Sequence, residues 1–172
     1  MKRAVFALAA LIFVVAGCAL KPKPAWIDAP LTAGVFEASA FVACGIQETT
    51  QRCEGRSRLA AESALRTKLA GSIERIMGEF VAENGLGDDE TARWLVQGVS
   101  DETVERLLSR AQKIDAQQRG DRYHLLLGVP KKEATALVKE AIIRGIREDD
   151  LLYEQAVMIR AFDDMDRFLE RY

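Results

Sequence analysis

Apolar residues in this chain fall into blocks of different period, and the period of each block predicts an element. Val35 to Ile46 is rich in Val, Ile, Phe and Ala, has no proline and no glycine before Gly45, and reads as a strand. From Gly55 the period changes. Leu65, Leu69, Ile73, Ile76, Met77 and Phe80 recur at three and four residues, the stripe of an amphipathic helix, and Asn84-Gly85 supplies its stop. Gly71 and Gly78 lie inside that helix, where each costs about 1 kcal/mol against alanine unless another backbone packs closely. Both are therefore expected to face a sheet.

Asp88-Asp89 ahead of Glu90 to Gln97, and then Ser100-Asp101-Glu102, are two helix-start signals and predict two short helices. Ala111 to Gln118 and Arg122 to Val129 flank the turn cluster Arg119-Gly120-Asp121, which predicts a hairpin. Its second arm carries Leu125 to Leu127, a run suited to a central strand covered on at least one face by the long helix. From Lys131 the helical period returns in Ala134, Leu137, Val138, Ala141, Ile142 and Ile146. It resumes after Glu148-Asp149-Asp150 in Leu152, Ala156, Ile159, Phe162, Met165, Leu169 and Tyr172, so a tail helix of two segments is expected. Asp163 and Asp166 interrupt any strict heptad, which favours packing on a core, with an oligomerising helix as the alternative. The fold class expected is α/β of the α+β kind. A small antiparallel or mixed sheet of three to four strands packs on one long helix, with a C-terminal helical extension over residues 131–172, whose last part, Leu151 to Tyr172, is expected to matter for assembly more than for the fold.

The first block changes the picture most. Ala4 to Ala16 is unbroken apolar sequence behind Lys2 and Arg3, of signal-peptide length and too short for a stable bilayer span. It closes on Val15-Ala16-Gly17-Cys18, which resembles a lipobox: small residues fit the lipoprotein signal peptidase, and the Cys18 thiol receives diacylglycerol. The expected organisation is a signal peptide over 1–17, a lipidated Cys18 with a proline-rich tether over 18–30, an α/β domain over 31–130, and the extension. Residue 19 is Ala and not Asp, which by analogy with enterobacterial sorting directs the product to the outer membrane, facing the periplasm. Two or three acyl chains, palmitate among them, make such an anchor stable.

Composition bounds the partners. Removing residues 1–17 takes away Lys2 and Arg3 and leaves 22 basic against 26 acidic residues, a net charge of −4. That balance argues against nucleic acid as a partner and against a polybasic membrane patch. Trp26 and Ile27 interrupt the polar tether, and two readings stay open for Trp26: a cap on the edge of the core, or a ring at the membrane interface.

Several features occur in an order that resembles the Lpp-twenty lipoprotein family: Pro24-Ala25-Trp26-Ile27, the strand ending Ala43-Cys44-Gly45, the ladder Ala60, Ala64, Leu69, Ala70 and Ile73, and Tyr123 before Leu125-Leu126-Leu127. The similarity spans roughly residues 24–130. The chain departs from the family in placing Cys44 where a branched apolar residue is usual, and in its long C-terminal helix. The resemblance implies a small α/β domain without enzymatic activity, acting structurally at the cell envelope and associated in some members with the flagellum.

The search for chemistry agrees with a non-catalytic reading. His124 is the single histidine, it lies in mid-strand, and no triad involving histidine can be built without it. Zincin, P-loop, dinucleotide and calcium-loop motifs are absent, so no catalytic residue, metal ligand or cofactor is assigned beyond the lipid on Cys18. The clusters Glu148-Asp149-Asp150 and Asp163, Asp164, Asp166 read as solvated helix faces. With Cys18 consumed by lipid, Cys44 and Cys53 remain as an even pair in an oxidising compartment and predict a disulfide, the alternative being two free thiols with Cys44 in the core. Two functions stay open: a structural lipoprotein that self-associates or docks on other envelope proteins, and a binding module for a small apolar ligand or an envelope polymer held between sheet and helix. A large closed apolar cavity would mark the second.

Overall fold

The computed structural model describes residues 23, 25–27, 34–87 and 89–172. After a 3-10 turn at Ala25–Ile27 the elements run β1 (Val35–Ala43), α1 (Thr50–Asn84), α2 (Asp89–Leu108), β2 (Gln112–Arg119), β3 (Arg122–Pro130), α3 (Lys131–Arg147), α4 (Asp150–Met158) and α5 (Met165–Leu169). The strands form one antiparallel sheet in the order β1-β3-β2. The expected α+β architecture is observed, with three strands and the leucine-rich strand in the centre.

Helix α1 starts earlier than its apolar stripe suggests because Thr49 caps it. Thr49 is extended (φ −71°, ψ 148°) and its Oγ1 accepts the Arg52 N–H at 3.4 Å. The helix stops where expected. Gly85 takes φ 59°, its N–H donates to Ala82 at 3.2 Å, and the Leu86 N–H donates to Val81 at 3.0 Å, a Schellman-type ending.

Between these caps the buried row runs Cys53, Ser57, Ala61, Leu65, Leu69 and Ile73 before Ile76, Met77, Phe80 and Val81. A repeat of four overshoots one turn, so the row advances about 40° per step and roughly 200° from Cys53 to Ile73. One helix thereby serves two layers. Near its start Ser57 is fully buried against the sheet and its Oγ donates to the Tyr123 carbonyl at 3.0 Å. Near its end Phe80 meets Phe168 edge-on, with ring centroids 5.3 Å apart.

Gly71 and Gly78 do not face the sheet. Gly71 is exposed, Gly78 is half-buried, and a Cβ on either meets nothing within 4 Å. Close approaches that need a glycine lie elsewhere, at Gly128 in β3 and where α3 crosses α2. A Cβ on Gly145 would stand 2.5 Å from Leu95 Cδ1 and 2.6 Å from Val99 Cγ2. Opposite effects are therefore expected in urea unfolding. Gly71→Ala raises stability by about 0.4–1 kcal/mol by restricting the unfolded chain, and Gly145→Ala lowers it by about 1–2 kcal/mol through overpacking. A destabilising Gly71→Ala would refute this account of α1.

The two short helices expected over 89–108 are one continuous helix. Ser100 does not cap a new start; it is buried in mid-helix between Val99 and Thr103, whose Oγ1 donates back to the Val99 carbonyl at 2.7 Å. Burial of Leu95, Val99, Val104 and Leu107 on one side outweighs the local start signal. The hairpin is as expected. Arg119 pairs with Arg122 across Gly120 and Asp121, and Gly120 supplies the positive φ of 58° at the first turn position.

The C-terminal extension differs in both segmentation and role. It comprises three helices, because Asp149 caps α4 by accepting the Leu152 N–H at 3.0 Å and Arg160, at φ 56°, reverses the chain after Met158. Leu152, Ala156, Ala161, Met165, Phe168 and Leu169 join the same buried cluster as Leu65, Phe80, Leu125 and Ile142. The extension belongs to the core, contrary to an expectation that it serves assembly more than folding.

Candidate interaction site

The described residues place the sequence-derived candidates at the start of α1. Cys18 and the lipobox residues Val15, Ala16 and Gly17 lie outside them. Cys44, just past β1, and Cys53, in the first turn of α1, have their sulfurs at bonding distance and their Cα atoms 5.7 Å apart. The disulfide reading holds. The loop it closes is tied to the hairpin, where the Cys44 N–H donates to the Asp121 carbonyl at 2.6 Å. Arg56 crosses the loop's base, pairing with Glu48 at 2.7 Å and donating to the Ala43 carbonyl at 2.5 Å. The backbone N–H of Gly45, with Arg56, holds the Glu48 carboxyl below its ordinary range.

Trp26 belongs to the folded body. It is 7 % exposed, and its indole N–H donates to Asp115 Oδ2 at 2.6 Å. Asp115 pairs across to Leu126, and that register puts it on the sheet face opposite the one α1 covers. Of the two readings open for Trp26, the cap on the core edge is the one observed. His124 lies on this outer face with its ring 5.3 Å from Phe41, and Arg122 stacks over Phe41 at 5.0 Å. Partial burial lowers the His124 pKa, and the positive charges of Arg119, Arg122 and Lys23 lower it further.

Between sheet and helices, among the described residues, a cavity lined by Phe36, Leu69, Ile73, Leu107 and Val138 measures about 10 Å³, room for one water. An open cleft of about 380 Å³ beside α3 is lined by charged groups and crossed by the Lys139–Asp166 pair at 2.5 Å. Two more acidic residues of the sequence clusters have structural partners: Asp149 caps α4, and Asp164 pairs with Arg167 at 3.3 Å. Among the described residues no group of three or more His, Cys, Asp or Glu is disposed to hold a metal ion, and no helix is long and apolar enough to cross a membrane.

The outward surface of α4 stands apart from this charged exterior. Leu151 is 79 % exposed and Met158 78 %, and Tyr153, Val157 and Ile159 are exposed beside them. Leu152 and Ala156 point inward, while the Gln155 amide donates to the Gly85 carbonyl at 2.8 Å and its Oε1 accepts the Gly87 N–H at 3.2 Å. That clamp seats α4 at the end of α1 remote from the disulfide loop, and a helix of 35 residues separates the two by about 50 Å. A single-stripe reading of the tail missed the exposed strip. The available signal was that Leu151-Leu152-Tyr153 and Ala156 to Ile159 are apolar on every side of the helix.

No family model matches the chain, and no curated protein matches it.

Proposed function

We propose that this protein is a lipid-anchored lipoprotein of the outer membrane whose periplasm-facing domain is structural, presenting the α4 strip to another envelope protein or to a second copy. The carrying observation is that strip: Leu151, Tyr153, Val157 and Met158 on the exposed side of a nine-residue helix clamped to the core, with Ile159 exposed just past its end. Exposed apolar patches of this kind mark contact sites. The Lpp-twenty-like motifs point the same way, toward an envelope role that includes flagellar association in that family. The alternative, a module for a small apolar ligand between sheet and helix, would need more room than the cavity of about 10 Å³ beside Phe36 and Leu107 provides. A non-catalytic role accords with a histidine stacked on Phe41 and acidic residues engaged in caps and pairs.

The test has two arms. Cys18→Ser is expected to take up no fatty-acid label and to remain an unprocessed precursor, and the labelled wild type to fractionate with the outer membrane. A photo-crosslinking side chain in place of Val157 is expected to give discrete adducts in envelope fractions, whereas one in place of Leu59, exposed on α1, gives none. Label retained by Cys18→Ser refutes the anchor, and equal adducts at both positions refute the docking role.

A further inference from the structure

The end of the fold opposite α4 carries a second set of exposed groups, of different character. Ile46 stands fully in solvent at the tip of the loop closed by Cys44 and Cys53, and Phe41 is half-exposed at the adjoining strand end. An isolated exposed isoleucine is unremarkable by itself. Here the disulfide and the Cys44–Asp121 backbone bond hold it beside the hairpin turn, where Arg122 stacks on Phe41 and Arg119 pairs with Arg122 across the sheet. Arg52 is exposed in the first turn of α1, at the same end. Of the acids nearby, Glu48 pairs with Arg56 and Glu54 with Lys113, which leaves Asp115, the acceptor of the Trp26 indole N–H, and Asp121 to offset Arg52, Arg119 and Arg122. In a chain with an acidic net balance, this end is basic and apolar together.

The tether arrives at the same end. Trp26 is pinned to the outer sheet face, and Lys23 acts electrostatically on His124, which faces Phe41. Five peptide units separate Cys18 from Lys23, so a lipid on Cys18 places the bilayer within about 18 Å of Lys23 however the intervening chain runs.

We infer that this end of the fold, with Ile46 at the loop tip and Arg52, Arg119 and Arg122 beside it, rests on the anionic phospholipid headgroups of the membrane that holds the chain. The inference rests on lipidation at Cys18. Arginines supply attraction to phosphate, Ile46 enters the headgroup boundary, and the disulfide spares the loop the entropy of being ordered on contact. The domain then stands on the bilayer with α1 directed away from it, and α4 is carried about 50 Å outward along a 35-residue helix.

The test uses the mature lipoprotein in vesicles of phosphatidylethanolamine and phosphatidylglycerol with brominated acyl chains. Ile46→Trp and Val157→Trp are each read against the background of Trp26 and Trp94. Bromine is expected to quench the added tryptophan at 46 and to leave that at 157 unaffected. Replacing phosphatidylglycerol with phosphatidylcholine, or introducing Arg119→Glu with Arg122→Glu at a loss of about fivefold in surface attraction per arginine, should bring position 46 down to the level of 157. Equal quenching at the two positions in acyl-labelled protein overturns the membrane contact while leaving the anchor standing. Protein that takes up no acyl label overturns the anchor, and the contact with it.

Discussion

A chain ending at Asp150 is expected to show no cooperative thermal transition. The deletion removes Leu152, Ala156, Ala161, Met165, Phe168 and Leu169 from the buried cluster. At about 1–3 kcal/mol for each large side chain the loss is roughly 10 kcal/mol, comparable with the whole stability of a domain this size. It also exposes what those residues cover, beginning with Phe80, which loses its edge-on partner Phe168. Surface pairs contribute little by comparison. Arg171 bridges to both oxygens of Glu83 and depresses that carboxyl's pKa through the hydrogen bond, yet both groups stand in solvent, and exposed pairs of this kind are worth little. Phe168→Ala should accordingly leave a cooperative but weakened fold, at a cost of about 3–4 kcal/mol, while Arg171→Ala costs about 0.5–1 kcal/mol, chiefly its stacking on the Phe168 ring at 4.3 Å. Calorimetry of the three variants decides the matter: a truncated chain with a sharp transition near that of the wild type would place the extension outside the core. Because truncation also removes the α4 strip, only substitutions on the strip separate docking from folding.

Replacing Cys44 and Cys53 together by serine is expected to cost about 2.5–3 kcal/mol, the loop-closure entropy of a ring this short, less whatever strain the native bond carries. The ring joins the end of β1 to the first turn of α1 across nine sequence positions. Without the cross-link the N-terminus of α1 keeps the Thr49 cap and the Arg56 contacts, so fraying should reach the first turn of the helix and not the sheet. Urea unfolding with and without reductant measures the cost. Mass spectrometry of the non-reduced protein checks the premise: a two-dalton deficit with no alkylatable thiol is expected, and two alkylatable thiols would overturn it.

Elements defined by near neighbours in the chain were readable from the sequence. The stop at Asn84-Gly85, the Gly120 hairpin, the Leu125 to Leu127 centre strand and the apolar stripe of α3 each depend on a few adjacent residues whose conformational preferences agree. The pairing of Cys44 with Cys53 was readable for the same reason, being short in sequence. Other features depend on what arrives from far along the chain. Ser100 carries a valid start signal, but whether a helix restarts or continues there is decided by the packing of Val99 and Leu95 against Gly145 of α3. Gly71 and Gly78 were set facing the sheet by a cost argument that could not know the buried row turns around the helix as it passes them.

The N-terminal signal, the lipidated cysteine, the α+β class and the order of elements are one-dimensional properties, written in charge, apolar length and period, and the sequence by itself determines them as expectations. Which side of each apolar segment meets water is a different kind of property. Leu151 and Leu152 are adjacent and chemically identical, yet one is exposed and the other buried, because Gln155 clamps α4 to Gly85 and Gly87 in a single orientation. Trp26 finds Asp115 across 89 positions, and Phe80 finds Phe168 across 88, through folding alone. Burial is a collective outcome of all the surfaces that come together, so only the tertiary structure decided that the tail completes the core, that α4 leaves an apolar strip in solvent, and that this strip and the disulfide loop lie at opposite ends of α1.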